Sequence, residues 1–155
     1  MMLRIIFFLM LLVTTNVSAQ MDETIKVKAI IDTFFEGFHK QDSLIIMQVI
    51  SNDIIMQSIG KDREGQIKIR NEKFDDFLKS VLSIPEDKKF EEKLLDYIIK
   101  VDGNMANVWI PYEFWLNGEF SHCGVNSFQL FNDNGRWKII YIIDTRRKTG
   151  CNDKN

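Results

Sequence analysis

Val27, Ile30, Ile31, Phe34, Phe35 and Phe38 recur at steps of three and four residues. That spacing places one broad apolar stripe on a helix over about Asp22–Lys40. Asp42-Ser43 then reads as the cap of a second, short apolar helix that runs to about Ile50. Residues from Asp53 to Ile59 have the pattern of a strand, closed by Gly60. A charged loop over 61–65 leads to another short strand at Gln66–Arg70. Asn71 is predicted to cap a third helix, with Phe74, Phe77, Leu78, Val81 and Leu82 on one face and Pro85 as its stop.

From Phe90 onward the period becomes that of strands. Asp102-Gly103 and Asn117-Gly118 have the composition of two-residue hairpin turns, and a third turn lies within Asn132–Gly135. Four antiparallel strands are therefore expected, over about 91–101, 104–116, 119–131 and 136–146. Helices first and a meander last describe an α+β domain with its helices on one face of a sheet.

Turn length sets register, and register decides which side chains share a face. A tight Asn117-Gly118 turn puts Leu116 opposite Glu119, Glu113 opposite His122, Tyr112 opposite Cys123 and Trp109 opposite Asn126. The Asp102-Gly103 turn puts Asp96 opposite Trp109 and Tyr97 opposite Val108. One face then carries Asp96, Trp109, Glu113, Trp115, His122 and Asn126. The other carries Leu95, Tyr97, Ile99, Ile110, Tyr112, Phe114, Cys123, Val125 and Phe131. The third hairpin has two solutions. A turn with Gly135 in a bulge places Arg146 opposite His122 and Asp144 opposite Gly124, on the Glu113 face; a tight Asn134-Gly135 turn moves both to the Tyr112 face. The bulged form is preferred because it keeps Trp137, Ile139, Tyr141 and Ile143 together on the more apolar face.

Either solution gathers Tyr112, Glu113, His122, Cys123 and Asp144 at one end of the sheet. His122 is one of two histidines, and imidazole is suited to proton transfer near neutral pH. The acid–base candidates are His122 as base with Glu113 or Asp144 as its orienter. Arg146 or Tyr112 would be donor to a developing negative charge. Trp109, Tyr112, Cys123, Asn126 and Arg146 are the candidate ligand-binding residues. The alternative is a structural network that ties strand ends together. His39, at the end of the first helix, is expected to interact with the helix dipole. No phosphate-binding glycine loop, nucleophile elbow or zinc-helix motif is found, and no metal or cofactor is implied.

The chain opens Met1-Met2-Leu3-Arg4, continues with an apolar run from Ile5 to Val13 and reaches Val17-Ser18-Ala19. Charge, short apolar core and small residues are the plan of a signal peptide over 1–19, leaving one domain over 20–155. The core is shorter than the roughly 20 apolar residues that span a bilayer, so an exported protein, periplasmic or secreted, without a membrane anchor is expected. In that setting Cys123 and Cys151 can form a disulfide that staples the C-terminal tail; one buried thiol and one tail thiol is the alternative. Twenty basic against 22 acidic residues give a net charge of −2. A dedicated nucleic-acid binder needs a basic surplus, so that class is excluded.

The order helix, short helix, strand pair, helix and four-stranded meander resembles the nuclear transport factor 2-like (NTF2-like) fold. The residues that carry the likeness are Ile31–Phe38 with Asp42, the tract Trp109–Phe114, Ser121–Leu130, and the closing Gly135–Ile139 and Asp144–Arg147. They are similar to an exported bacterial branch labelled SnoaL-like or lumazine-binding-like. The resemblance implies a cone-shaped barrel, with three N-terminal helices packed on a curved, mainly antiparallel sheet. It implies a pocket between them for a small apolar or aromatic ligand, and often a homodimer through the outer sheet face. Relatives on the fold include isomerases, dehydratases and polyketide cyclases, so acid–base isomerisation or dehydration is the activity it suggests. A structural or interaction module acting through the sheet face, with Trp115, Phe120 and Phe128 at an interface, is the second expectation.

Overall fold

Among the described residues ten elements follow one another. They are α1 (Met2–Lys40), α2 (Ser43–Val49), β1 (Ile50–Lys61), β2 (Ile67–Glu72), α3 (Phe74–Leu82), β3 (Phe90–Leu94), β4 (Ile98–Asp102), β5 (Met105–Leu116), β6 (Glu119–Asp133) and β7 (Arg136–Arg147). This computed structural model describes residues 2–151, with side chains from Met21 onward. The expected signal segment, 1–19, lies outside the residues whose side chains are described. Among the described residues no helix is long and apolar enough to cross a membrane.

The stripe on α1 lies against the sheet, where Val27, Ile31, Phe34 and Phe35 are buried with Val108, Ile110, Phe128, Leu130 and Ile139. Each such side chain contributes roughly 1.5–3 kcal/mol of burial, which is why the helix commits this face. Asp42 caps α2 as expected, its Oδ1 accepting from the Leu44 and Ile45 N–H groups at 2.9 and 3.3 Å. Gln41 ties the α1–α2 corner to the end of α3 by donating to the carbonyls of Val81 and Ile84 at 2.7 and 2.8 Å. Asn71 does not cap α3. Pairing of β2 with β1 runs on to Met56 and Glu72, so Asn71 is used in the ladder opposite Gln57, and Lys73 occupies the cap position without a side-chain bond.

The sheet has the order β2-β1-β7-β6-β5-β3, with β4 also on β5; β1 and β7 are parallel and the other pairs antiparallel. The expected strand over 91–101 is two strands. The chain breaks at Leu95–Tyr97, where the Asp96 carboxylate accepts its neighbour's N–H at 2.7 Å and the Tyr97 hydroxyl donates to Asp32 at 2.8 Å. The first hairpin turns at Gly103-Asn104 and not at Asp102-Gly103, so Ile98 lies opposite Trp109 and Ile99 opposite Val108.

Two bulges set the faces. Asn117 and Gly118 take φ of 52° and 80°, as a tight turn requires, and hold Leu116 opposite Glu119. The register then slips at Ser121, so that Phe114 faces His122, Glu113 faces Cys123 and Tyr112 faces Gly124. In the last hairpin Asn134-Gly135 is a tight turn, with Asp133 opposite Arg136, and a slip at Ile140 reverses parity part-way along β7. Trp137 and Ile139 therefore share the inner face with Ile142, Asp144 and Arg146, while Tyr141 and Ile143 do not. Asp144 lies opposite Asn126 and Arg146 opposite Gly124, two places from the predicted partners.

Candidate functional site

A cavity of about 330 Å³ lies between α1, α3 and the inner face of the sheet. Its walls are largely aromatic. Phe34, Phe35 and Phe38 come from α1, Phe77 from α3, and Phe114 and Phe128 from the strands. Phe77 stacks on both Phe34 and Phe38, with ring centroids 6.1 and 6.2 Å apart.

The polar end is assembled by the bulge at Ser121, which turns His122, Gly124 and Asn126 inward beside Tyr112 and Phe114. Gly124 is required there. A Cβ at this position would lie 1.7 Å from the Thr145 carbonyl oxygen and 2.8 Å from Tyr112 Cε1. The Tyr112 ring occupies that space, and its hydroxyl donates to the Thr145 carbonyl at 3.1 Å and to Asp144 Oδ2 at 3.4 Å. The same Asp144 oxygen accepts from Arg146 Nε at 2.7 Å. His122 stacks on Phe114 at 5.0 Å, and its Nδ1 lies 3.1 Å from Ser121 Oγ. Asp144 is thus engaged by Arg146 and Tyr112, and the hydroxyl of Ser121 is the group that meets the imidazole.

Glu92 completes the cluster from β3. Its Oε1 accepts from Asn126 Nδ2 at 2.6 Å. Burial pushes its carboxyl up to about 7; Asp144 adds to the rise, while Asn126 and Arg146 oppose it. Burial also lowers the pKa of His122, with the Arg146 charge acting in the same direction and Asp144 against it. Tyr112 is raised by burial and by the neighbouring carboxylates Asp144 and Glu92. Near neutral pH the cavity therefore holds an uncharged imidazole on β6 and, across β5, a carboxyl group close to its midpoint on β3.

Of the predicted residues, His122, Asp144, Tyr112, Asn126 and Arg146 line this cavity. Glu113, Trp109 and Cys123 do not. The slip at Ser121 leaves all three on the outer face, where Glu113 accepts from Trp115 Nε1 at 3.0 Å and Trp109 is 45% exposed. Cys123 is joined to Cys151 in a disulfide, the pairing that fastens the tail across the outer face. Val125 and Phe131, expected on the Tyr112 face, also lie outside, whereas Phe128 is in the core. His39 lies in the last turn of α1, and its Nε2 accepts the backbone N–H of Glu92 at 3.0 Å.

Glu92 was missed by pattern reading, yet a signal exists. Phe90, Glu92 and Leu94 share the inward parity of β3, while Glu91 and Lys93 point out. A carboxylate on the apolar parity of a strand marks a group buried for a reason other than packing.

No protein-family model matches the sequence, and no curated protein matches it. Solved structures do match. An NTF2-like protein of unknown function from Shewanella baltica is 16% identical, with a TM-score of 0.61 over 83% of this chain and 97% of that one. Another from Pseudomonas putida, also of unknown function, is 12% identical, with a TM-score of 0.64 over 81% and 87%. A proposed dehydratase from the NTF2-like family of Streptomyces avermitilis is 12% identical, with a TM-score of 0.61 over 81% and 96%. At these identities the likeness is one of fold. Three helices over a large, curved, mostly antiparallel sheet, with a cavity between them, are the fold of the NTF2-like proteins, and this chain has that fold.

Proposed function

We propose that this is an exported protein whose cavity binds a small, partly apolar molecule and performs acid–base chemistry on it, of the isomerase or dehydratase type. The observation that carries this reading is the meeting, in one cavity, of an aromatic wall with Glu92, His122, Tyr112, Asp144 and Arg146. Such a site offers bulk burial to a ring compound and a few directed polar groups to orient it. Burial brings the Glu92 carboxyl to about 7, and the same burial keeps the His122 imidazole unprotonated and so free to accept a proton. Asp144 fixes the Arg146 guanidinium through Nε, so the terminal N–H groups of Arg146 are the donors for a developing oxyanion, while the single Tyr112 O–H is given to Asp144 and Thr145. Export rests on the leader pattern of the first 19 residues, and a disulfide in the fold is consistent with it.

The test is equilibrium binding of steroid-like, flavin-like and aromatic polyketide probes to the protein and to His122→Ala/Asp144→Asn. Saturable binding that weakens in the variant supports the reading; equal binding by both proteins refutes this placement of the site.

A second reading has its own observation. Ile98 opposite Trp109 and Met105 opposite Phe131 are 45–56% exposed on the outer face, one pair on each side of the row Lys100, Asn107 and Gln129. That patch suits a second copy of the chain or another protein. Sedimentation of Trp109→Lys against the unaltered protein tests it: dimerisation lost in the variant supports an interface, and a monomeric unaltered protein at high concentration opposes it.

A further inference from the structure

Charge within the cavity is unevenly met. Among the described residues Arg146 is the one lining side chain with a fixed positive charge, and Asp144 engages it at 2.7 Å, with Glu72 also at the cavity wall. That leaves Glu92. Its Oε1 is held by the neutral amide of Asn126, and among the described residues its Oε2 accepts no hydrogen bond. This oxygen is not sealed in the interior, since the buried side-chain oxygen without a partner is at Asp62 and not here; it opens on the cavity that Glu92 lines. Around that cavity stand the rings of Phe35 and Phe38, whose faces attract cations, while Phe114 is covered by Phe90 and His122.

We infer that the cavity is built for a ligand bearing a cationic amine on a ring-sized apolar body, the ammonium seated between Glu92 Oε2 and the surrounding aromatic faces. The inference rests on the pocket reading and gives its ligand class. A half-buried carboxylate held only by a neutral amide is unfavourable and is relieved either by taking up a proton or by receiving a cation. A bound ammonium supplies the cation, so binding releases the proton that Glu92 otherwise holds. Neutral ligands leave Glu92 protonated, and anions meet an acidic lining.

The pH dependence is set by the groups that face Glu92. Asn126 does not titrate, and Tyr112 is raised further from neutrality. Asp144 and Arg146 form their own pair. His122 and His39 are both held below the usual imidazole value by burial, and His39 meets the backbone of Glu92 and not its carboxyl. Affinity for the ammonium therefore rises with pH as Glu92 ionises.

The experiment titrates the protein with three probes of one shape, 2-phenylethylammonium, 2-phenylethanol and 3-phenylpropionate, at pH 5.5 and pH 8, following ligand and protein by NMR. The expected result is that the ammonium binds about tenfold more tightly than the alcohol at pH 8, with the preference falling to about threefold or less at pH 5.5. Glu92→Gln should abolish the preference and keep alcohol binding. Alcohol binding equal to or tighter than the ammonium at pH 8, or a preference that survives Glu92→Gln, overturns the inference and leaves the pocket reading standing. Failure of all three probes to bind overturns the inference and counts against the pocket reading as well.

Discussion

His39 on α1 accepts, through Nε2, the backbone N–H of Glu92 on β3 at 3.0 Å. β3 is an edge strand, so this N–H points away from β5 and would otherwise lack a protein partner. The bond needs an unprotonated Nε2, and burial holds the His39 pKa below its ordinary value. The helix thus fixes the strand that carries the buried carboxyl.

A pH dependence follows. With the folded pKa depressed, the unfolded chain binds the proton first, so stability falls as pH drops below the unfolded value of about 6.5. Glu92 titrates with the opposite sign over the same range, so the test is made in Glu92→Gln: there denaturant midpoints measured between pH 8 and pH 5 should decline, and adding His39→Gln should flatten the decline. His122 is shifted in the same direction, so part of the slope should persist in that variant. An unchanged slope in His39→Gln would remove His39 from this role.

Glu92 acts with the opposite sign. Its folded pKa, about 7, lies above the ordinary carboxyl value of 4.5. The folded state keeps the proton, and stability is lost as pH rises from the lower value through the upper one. Glu92→Gln keeps the shape and removes the charge. It should stabilise the protein by about 2–3 kcal/mol at pH 8 and have little effect near pH 4.5, as read from urea unfolding. A destabilised variant at pH 8 would mean that the ionised form is held by partners and not merely buried.

Gly124 permits the closest approach in the site. Gly124→Ala would force β6 away from the Thr145 backbone and displace the Tyr112 ring. A loss of about 3 kcal/mol or more is expected, visible as a lower melting temperature. A melting temperature within a degree or two of the unaltered protein would contradict the geometry of the bulged strand.

These residues show what was legible in the chain. The helical stripe of Val27, Ile31, Phe34 and Phe35, the Asp42 cap and the Asn117-Gly118 turn are local signals, and each stands in the structure as read. The partners of Glu113, His122 and Asp144 are not local. They depend on slips at Ser121 and Ile140, which no turn dipeptide announces, and one slipped residue carries a side chain to the other face. That is why His122 and Asn126 joined Tyr112, while Glu113, Trp109 and Cys123 were left outside. Glu92 was obscured differently: its strand breaks at Leu95–Tyr97, and only the separate alternation of Phe90, Glu92 and Leu94 exposes it.

The Cys123–Cys151 disulfide spans 28 residues of sequence. Loop closure of that length corresponds to roughly 3–4 kcal/mol of stabilisation. Reduction should add two daltons to the intact mass and lower the melting temperature, and Cys123→Ser/Cys151→Ser should match the reduced protein. A double variant as stable as the oxidised protein would show that the tail contributes nothing to the fold.

The central claim is that a ligand occupies the space between α1, α3 and the polar end of the sheet. The most direct measurement is a thermal-shift screen with ammonium-bearing, steroid-like, flavin-like and polyketide ring compounds, run on the protein and on Ser80→Trp, which fills the cavity from α3 without removing a polar group of the cluster. At 100 times its Kd a ligand should stabilise the protein by about 2.7 kcal/mol. The account predicts at least one such shift and its loss in Ser80→Trp; a shift that persists unchanged in the filled variant would place binding elsewhere and contradict it.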